Sequence, residues 1–231
     1  MFNIHSRSIA FIMAIFCTSP ALAQILPKAP DTGTPSGNST PGTSRPETAC
    51  PETPKPLTAI VANNGQDFTL SAYPTFWFYV PYRSEQLSRI EFLLLSGNER
   101  ETIYHAAIQL PNKPGVIKIA LPNAPKYMLK QNQTYRWRLN LDCKLDRTIE
   151  PDLAIDGWVR RLPMTPQLEA QLKASSALER TYIENQIWYN AIDRAATRYF
   201  ANTTNTEASQ MWSQLLQTLN LPWVHQEPIV D

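Results

Sequence analysis

Glycine is scarce in this chain, at 7 of 231 residues, and histidine and cysteine are scarcer still, at 3 each. Few glycines leave few loops able to cradle phosphate, and neither a GxGxxG nor a Walker-type segment occurs. Scarce histidine removes the usual carrier of acid–base, nucleophilic and metal chemistry near neutral pH. Beyond the N-terminal segment only His105 and His225 remain, and no spacing brings them together. Ordinary packing or surface roles are expected for both. No GxSxG nucleophile elbow is present either. An excess of one charge sign is also missing, with 21 Lys and Arg against 20 Asp and Glu. That balance argues against a nucleic-acid binder, which needs a basic face to neutralise phosphate. It argues equally against a polybasic membrane-surface protein.

Long hydrophobic runs are absent apart from Ile9 to Cys17, which is too short to anchor a chain across a bilayer. It follows Ser6-Arg7-Ser8 and precedes Ala21-Leu22-Ala23, the three parts of a secretory signal peptide. Residues 1–23 are therefore expected to be removed after Ala23. The chain is then extracytoplasmic, periplasmic or secreted, with no integral membrane segment left. Phe16 stands before Cys17 where lipid attachment wants a small residue. Loss of Arg7 leaves the two charge signs equal.

With Cys17 gone, Cys50 and Cys143 remain. Two cysteines in an oxidising compartment read as one disulfide, with two free buried thiols as the alternative. Two are too few for a cysteine-based zinc site, and no histidine lies near them in sequence.

What the chain does have is proline, at 20 residues, crowded toward the start. Residues 24–56 are Pro, Thr, Ser and Gly with almost no large apolar side chain. Such a stretch buries too little to offset its ordering entropy, so it reads as a disordered leader or tether. From 57 to 162 the pattern changes to seven short apolar runs: Leu57–Val61, Thr75–Val80, Ile90–Leu95, Thr102–Leu110, Val116–Leu121, Tyr135–Cys143 and Asp156–Arg161. Clusters such as Asn63-Asn64-Gly65 and Ser96-Gly97-Asn98 separate them. Seven strands at this spacing predict a β-sandwich. Along Tyr135–Cys143 every odd position is apolar and every even one polar, the period of a strand with one buried face. Leu129 lies six residues before Tyr135, a spacing that resembles the tyrosine corner of immunoglobulin-like and fibronectin-III sandwiches. Asn132-Gln133 stands where those domains often carry Pro-Gly.

Residues 163–231 predict two or three helices. Thr165-Pro166 is a helix start, with a hydroxyl cap and proline at the first position. Apolar stripes follow through Leu168, Leu172 and Leu178, then Ile187, Trp188, Ala191 and Ile192, then Met211, Trp212, Leu215 and Leu216. Tyr182 to Tyr199 resembles part of a tetratricopeptide helix pair, with Gln186 in place of the usual turn glycine. A lone repeat cannot bury its own face, so it must pack on the sandwich or on a partner. The expected fold is α+β: an immunoglobulin/fibronectin-like β-sandwich with a small C-terminal helical unit packed on it.

Four segments occur in order: Cys50-Pro51-Glu52-Thr53-Pro54-Lys55-Pro56-Leu57-Thr58-Ala59, Pro74-Thr75-Phe76-Trp77-Phe78-Tyr79-Val80-Pro81-Tyr82, Tyr135-Arg136-Trp137 and Gly157-Trp158-Val159-Arg160-Arg161. From Cys50 onward the chain resembles the cyanobacterial secreted proteins grouped as domain of unknown function 928. The resemblance implies an envelope-associated setting outside the cytoplasm and transfers no catalytic residue.

Three functional readings follow. The first is a non-enzymatic protein-interaction module of the cell envelope, with no cofactor. Trp188, Tyr189 and Trp212 would be its helical anchors, although internal packing of the same rings weighs more. The second is a glycan-binding module with Trp77, Tyr79 and Tyr82 as a stacking platform. Against it, an uninterrupted apolar run suits a strand buried on both faces. The third is a carboxylate-dependent hydrolase drawn from Asp142, Asp146, Glu150, Asp152 and Asp156. Lys144 and Arg147 interrupt that set, and no calcium-loop pattern organises it.

Overall fold

A computed structural model describes Thr34 and residues 36–41, 50–109, 112–143 and 150–230. The expected signal peptide lies outside the described residues. Among them are eight strands: β1 (Thr58–Ala59), β2 (Phe68–Thr69), β3 (Thr75–Val80), β4 (Arg89–Ser96), β5 (Thr102–Ala107), β6 (Gly115–Ala120), β7 (Thr134–Asp142) and β8 (Leu153–Arg161). They form a three-stranded sheet in the order β1-β3-β6 and a five-stranded sheet in the order β2-β8-β7-β4-β5. Four helices follow: α1 (Pro166–Ala174), α2 (Leu178–Glu184), α3 (Trp188–Ala201) and α4 (Thr206–Thr218). The architecture is α+β, two sheets followed by a C-terminal helical unit.

The alternation in β7 is observed as read from Tyr135 to Leu141 and breaks at the end, where Asp142 is buried and Cys143 half-buried. Tyr135, Trp137, Leu139 and Leu141 are buried, while Arg136, Arg138 and Asn140 face outward and are half-buried. Opposite them, Phe76 and Phe78 of β3 and Ile117 and Ile119 of β6 complete one core between the sheets. The next residues on β3 and β6, Trp77, Tyr79 and Val116, enter a second core with α3 and α4. The middle sheet is thus covered on both faces, and that is why β3 after Thr75 carries only aromatic and aliphatic side chains. At the foot of β7 the Tyr135 hydroxyl accepts the Lys130 N–H at 2.8 Å, the contact anticipated from the corner spacing. Leu129 beside it is fully buried.

One strand has no counterpart in the sequence reading. The two-residue β2 pairs with β8 in parallel, Phe68 opposite Arg160, and is too short to produce any period. The helices number four among the described residues, against two or three expected. The break between α1 and α2 falls at Ser175–Ala177, where the Ser175 hydroxyl accepts the Ala177 N–H and competes with helical bonding. Thr165 caps α1 as anticipated, its hydroxyl accepting the Leu168 N–H at 3.2 Å. Between α2 and α3, Gln186 takes a φ of 62°, in the left-handed region that glycine occupies without strain. Gln186→Gly is expected to leave stability unchanged or raise it by up to about 1 kcal/mol. A lowered urea midpoint would contradict the reading of this turn.

Within the five-stranded sheet, Gly157 stands opposite Trp137 on adjacent strands. A Cβ on Gly157 would lie 2.3 Å from the indole Cζ2, so the bare backbone is what admits the ring. Trp137 in turn donates its indole N–H to the Tyr189 hydroxyl at 2.7 Å, and that hydroxyl donates to the Trp158 carbonyl at 2.9 Å. This chain fastens α3 to the five-stranded sheet. Gly157→Ala must displace the indole and is expected to cost about 1–3 kcal/mol, read as a lowered midpoint of thermal or urea unfolding.

Cys50 and Cys143 form a disulfide that joins two points 93 residues apart in sequence. The stretch read as a leader differs from expectation in part. Thr34 and residues 36–41 lie against the sheets, held by backbone, hydroxyl and amide hydrogen bonds that need no apolar side chain.

Candidate interaction surface

The residues singled out from sequence are nearly all used inside the molecule. Trp77, Tyr79 and Tyr82 are 2%, 5% and 5% exposed, so they offer no platform to a sugar ring. The glycan reading loses those rings because β3 lies between two packed layers. Trp77 stacks on Phe200 and donates to Asp193 at 3.0 Å, while Tyr79 meets Trp223 edge-on. Trp188, Tyr189 and Trp212 are likewise buried, so they are not anchors for a partner. Trp212 packs against Tyr199 and Phe200, and the lone helix pair finds its cover on the middle sheet.

The acidic set separates into distinct structural contacts. Asp142 pairs with Arg89 at 2.6 Å and accepts the Asp152 N–H, while Asp152 accepts the Cys143 N–H at 2.8 Å. Asp156 sits on the outer face of β8 and pairs with Arg136 at 2.9 Å. Glu150 is exposed, and Asp146 lies outside the described residues. An Asp152 oxygen comes within 4.8 Å of both disulfide sulfurs. Bonded to each other, those sulfurs are not thiolate ligands. The two histidines stand apart: His105 is 3.2 Å from Glu91 on the five-stranded sheet, and His225 is 3.1 Å from Ser209 near α4. Glu179 was not singled out from sequence, yet it is a buried carboxylate holding α2 to α3 through Arg194 and Arg198. Burial opposes its charge, but the two guanidiniums outweigh burial and keep its pKa below the usual carboxylate value.

A different feature is a segment of the chain docked through hydrogen bonds along a seam of the fold. Thr34 and residues 36–39 form a strap over the seam between β1 and β8. The Asn38 carbonyl accepts the Asp156 N–H at 3.0 Å, on the edge of β8 that also serves β2. The Ser39 carbonyl accepts the Ala59 N–H at 2.9 Å, on the outer edge of β1. Asn63 clamps Gly37 from both sides, its Oδ1 accepting the Gly37 N–H and its Nδ2 donating to the Gly37 carbonyl. The Thr34 N–H donates to the Gly65 carbonyl at 2.7 Å. Gly37 passes so near β8 that a Cβ would lie 2.3 Å from the Asp156 carbonyl oxygen. Only glycine fits there without moving backbone.

The strap ends on a buried carboxylate. Asp67 is 2% exposed and accepts the Thr34 hydroxyl at 2.9 Å and the Asn63 N–H at 2.8 Å. The Thr34 oxygen accepts the Asp67 N–H in return. Burial pushes the Asp67 carboxyl up to about 6, against the hydrogen bonds from Thr34 and Asn63 that favour its charge. Its backbone also accepts the Arg160 N–H and bridges to Ile187, just ahead of α3. Tyr189 lies close enough for the Asp67 charge to add to burial in raising the phenol pKa. Leader, sheets and helices therefore meet at one residue. The run Asn63-Asn64-Gly65-Gln66-Asp67 reads in sequence as a plain turn, with nothing to mark its last residue as buried.

The sequence profile of one family, Domain of Unknown Function (DUF928), matches residues 40–229. The chain belongs to this family. The match covers both sheets and all four helices, and it begins after Ser39, so the seam lies within the family region and the strap outside it. Among curated proteins, none matches the chain. No helix among the described residues is long and apolar enough to cross a membrane.

Proposed function

We propose that this chain is an extracytoplasmic, non-enzymatic protein-interaction module of the cell envelope, built on an immunoglobulin-like sandwich. The observation that carries the reading is the strap: the fold receives an extended polypeptide along a seam, mainly through backbone groups and one clamping amide. Proteins that recognise peptides by adding a strand use the same contacts. The disulfide and the signal-peptide pattern support the compartment. The corner contact at Tyr135 and the two sheets facing across one core support the sandwich type. The structural use of Asp142, Asp152 and Asp156 supports a scaffold over a hydrolase.

The test is retention of purified envelope proteins and of cell-wall glycan on the immobilised full chain. Saturable binding of one defined protein is the expected result. Retention of glycan alone, or of neither, would overturn the proposal.

A further inference from the structure

The seam and the strap that fills it are separable parts of the molecule. The receiving groups, on Ala59, Asn63, Gly65, Asp67 and Asp156, all lie within the family-matched region, whereas Thr34 to Ser39 precede it. The strap joins the core through residues 42–49, which lead to Cys50 at the disulfide. Eight residues reach up to about 28 Å when extended, close to the diameter of a small domain. The same link can therefore carry the strap to its own seam or to that of a neighbouring molecule.

The geometry points to strap exchange: the β1–β8 seam of one copy takes Thr34 and residues 36–39 of a second copy through the same hydrogen bonds. This gives the interaction role its partner and rests on that reading. Exchange replaces each contact with an identical one, so tether length and protein concentration set the balance. A strap on a short tether faces its own seam at an effective concentration in the millimolar range. Dilute chains accordingly close on themselves, and exchange grows where copies are crowded. Specificity comes from Gly37, which alone permits the approach to β8, and from the Thr34 hydroxyl on Asp67.

Two full-length variants test the exchange by complementation. Gly37→Ala keeps the seam and cannot seat its own strap, because the added Cβ meets the Asp156 carbonyl. Asn63→Gly keeps the strap and removes the clamping amide, and glycine accepts the φ of 47° at that position. Light scattering is expected to find each variant monomeric alone and a one-to-one pair in the mixture. A dye-labelled synthetic peptide of residues 34–41 is expected to bind Gly37→Ala at least about tenfold more tightly than the wild-type chain, whose own strap competes. Should Gly37→Ala fail to melt cooperatively, Thr34→Val replaces it as the strap variant. A mixture of folded variants that stays monomeric overturns the proposal, and peptide binding without a mixed pair overturns the second copy as the occupant. Envelope-protein retention with no mixed pair defeats only the exchange. A mixed pair with no such retention defeats only the envelope role.

Discussion

Replacing Cys50 and Cys143 together by serine is expected to lower the unfolding free energy by about 4–5 kcal/mol in the chain-entropy account. The bond spans 93 residues of sequence and joins the start of the sheet region to the end of β7. Its effect falls mainly on the unfolded chain, which loses conformations when a long loop is closed. Local folded contacts remain to hold the region, with Asp152 on the Cys143 amide and Asp142 on Arg89. The variant should therefore keep its circular dichroism while its urea midpoint drops, and reductant should do the same to the wild type. An unchanged midpoint would mean that loop closure contributes nothing to stability.

Asp67→Asn is expected to change the pH dependence of stability more than any other single charge substitution. The folded carboxyl titrates at about 6, above its ordinary value of 3.8, chiefly because it is buried. The folded state thus holds the proton more tightly than the unfolded state does. That stabilisation is fully present below about pH 4 and is lost as pH rises through 6. A shift of this size corresponds to about 3 kcal/mol. Other carboxylates act in the opposite sense, Glu179 among them, since its folded pKa is lowered. The informative quantity is therefore wild type minus Asp67→Asn, measured by urea unfolding from pH 4 to pH 7.5. It should favour the wild type by about 2 kcal/mol more at pH 4 than at pH 7.5, the remainder lying below pH 4 where the unfolded carboxyl also takes up its proton. A difference that does not vary with pH would contradict the burial of a charged Asp67.

Much of the sheet architecture was readable because burial imposes a period. The alternation through Tyr135–Cys143 gave β7 and its inward face, and the unbroken Phe76-Trp77-Phe78-Tyr79 run gave a strand covered on both sides. Thr165-Pro166 gave the start of α1, because a cap is a local device. The candidate sites were less readable. An aromatic stripe records that a face is covered without saying by what, and Trp188, Tyr189 and Trp212 are covered by their own chain. Nearness in sequence grouped five carboxylates, yet strand geometry brings Asp142 and Asp152 together and turns Asp156 toward Arg136. The strap left no period because it docks through backbone groups, and composition alone made it a leader. Its one sequence trace is Gly37, whose meaning depends on the Asp156 carbonyl it approaches.

Hydrogen exchange at the Ala59 and Asp156 amides tests the seam most directly. Both N–H groups point away from the neighbouring strand and donate to strap carbonyls. In the wild-type chain they should exchange slowly. In Gly37→Ala both should accelerate by about tenfold or more, while the amides of Leu139 and Ile155 in the core keep their rates. Fast exchange at both sites in the wild type, or rates unaltered by the substitution, would contradict a seam that binds an extended chain.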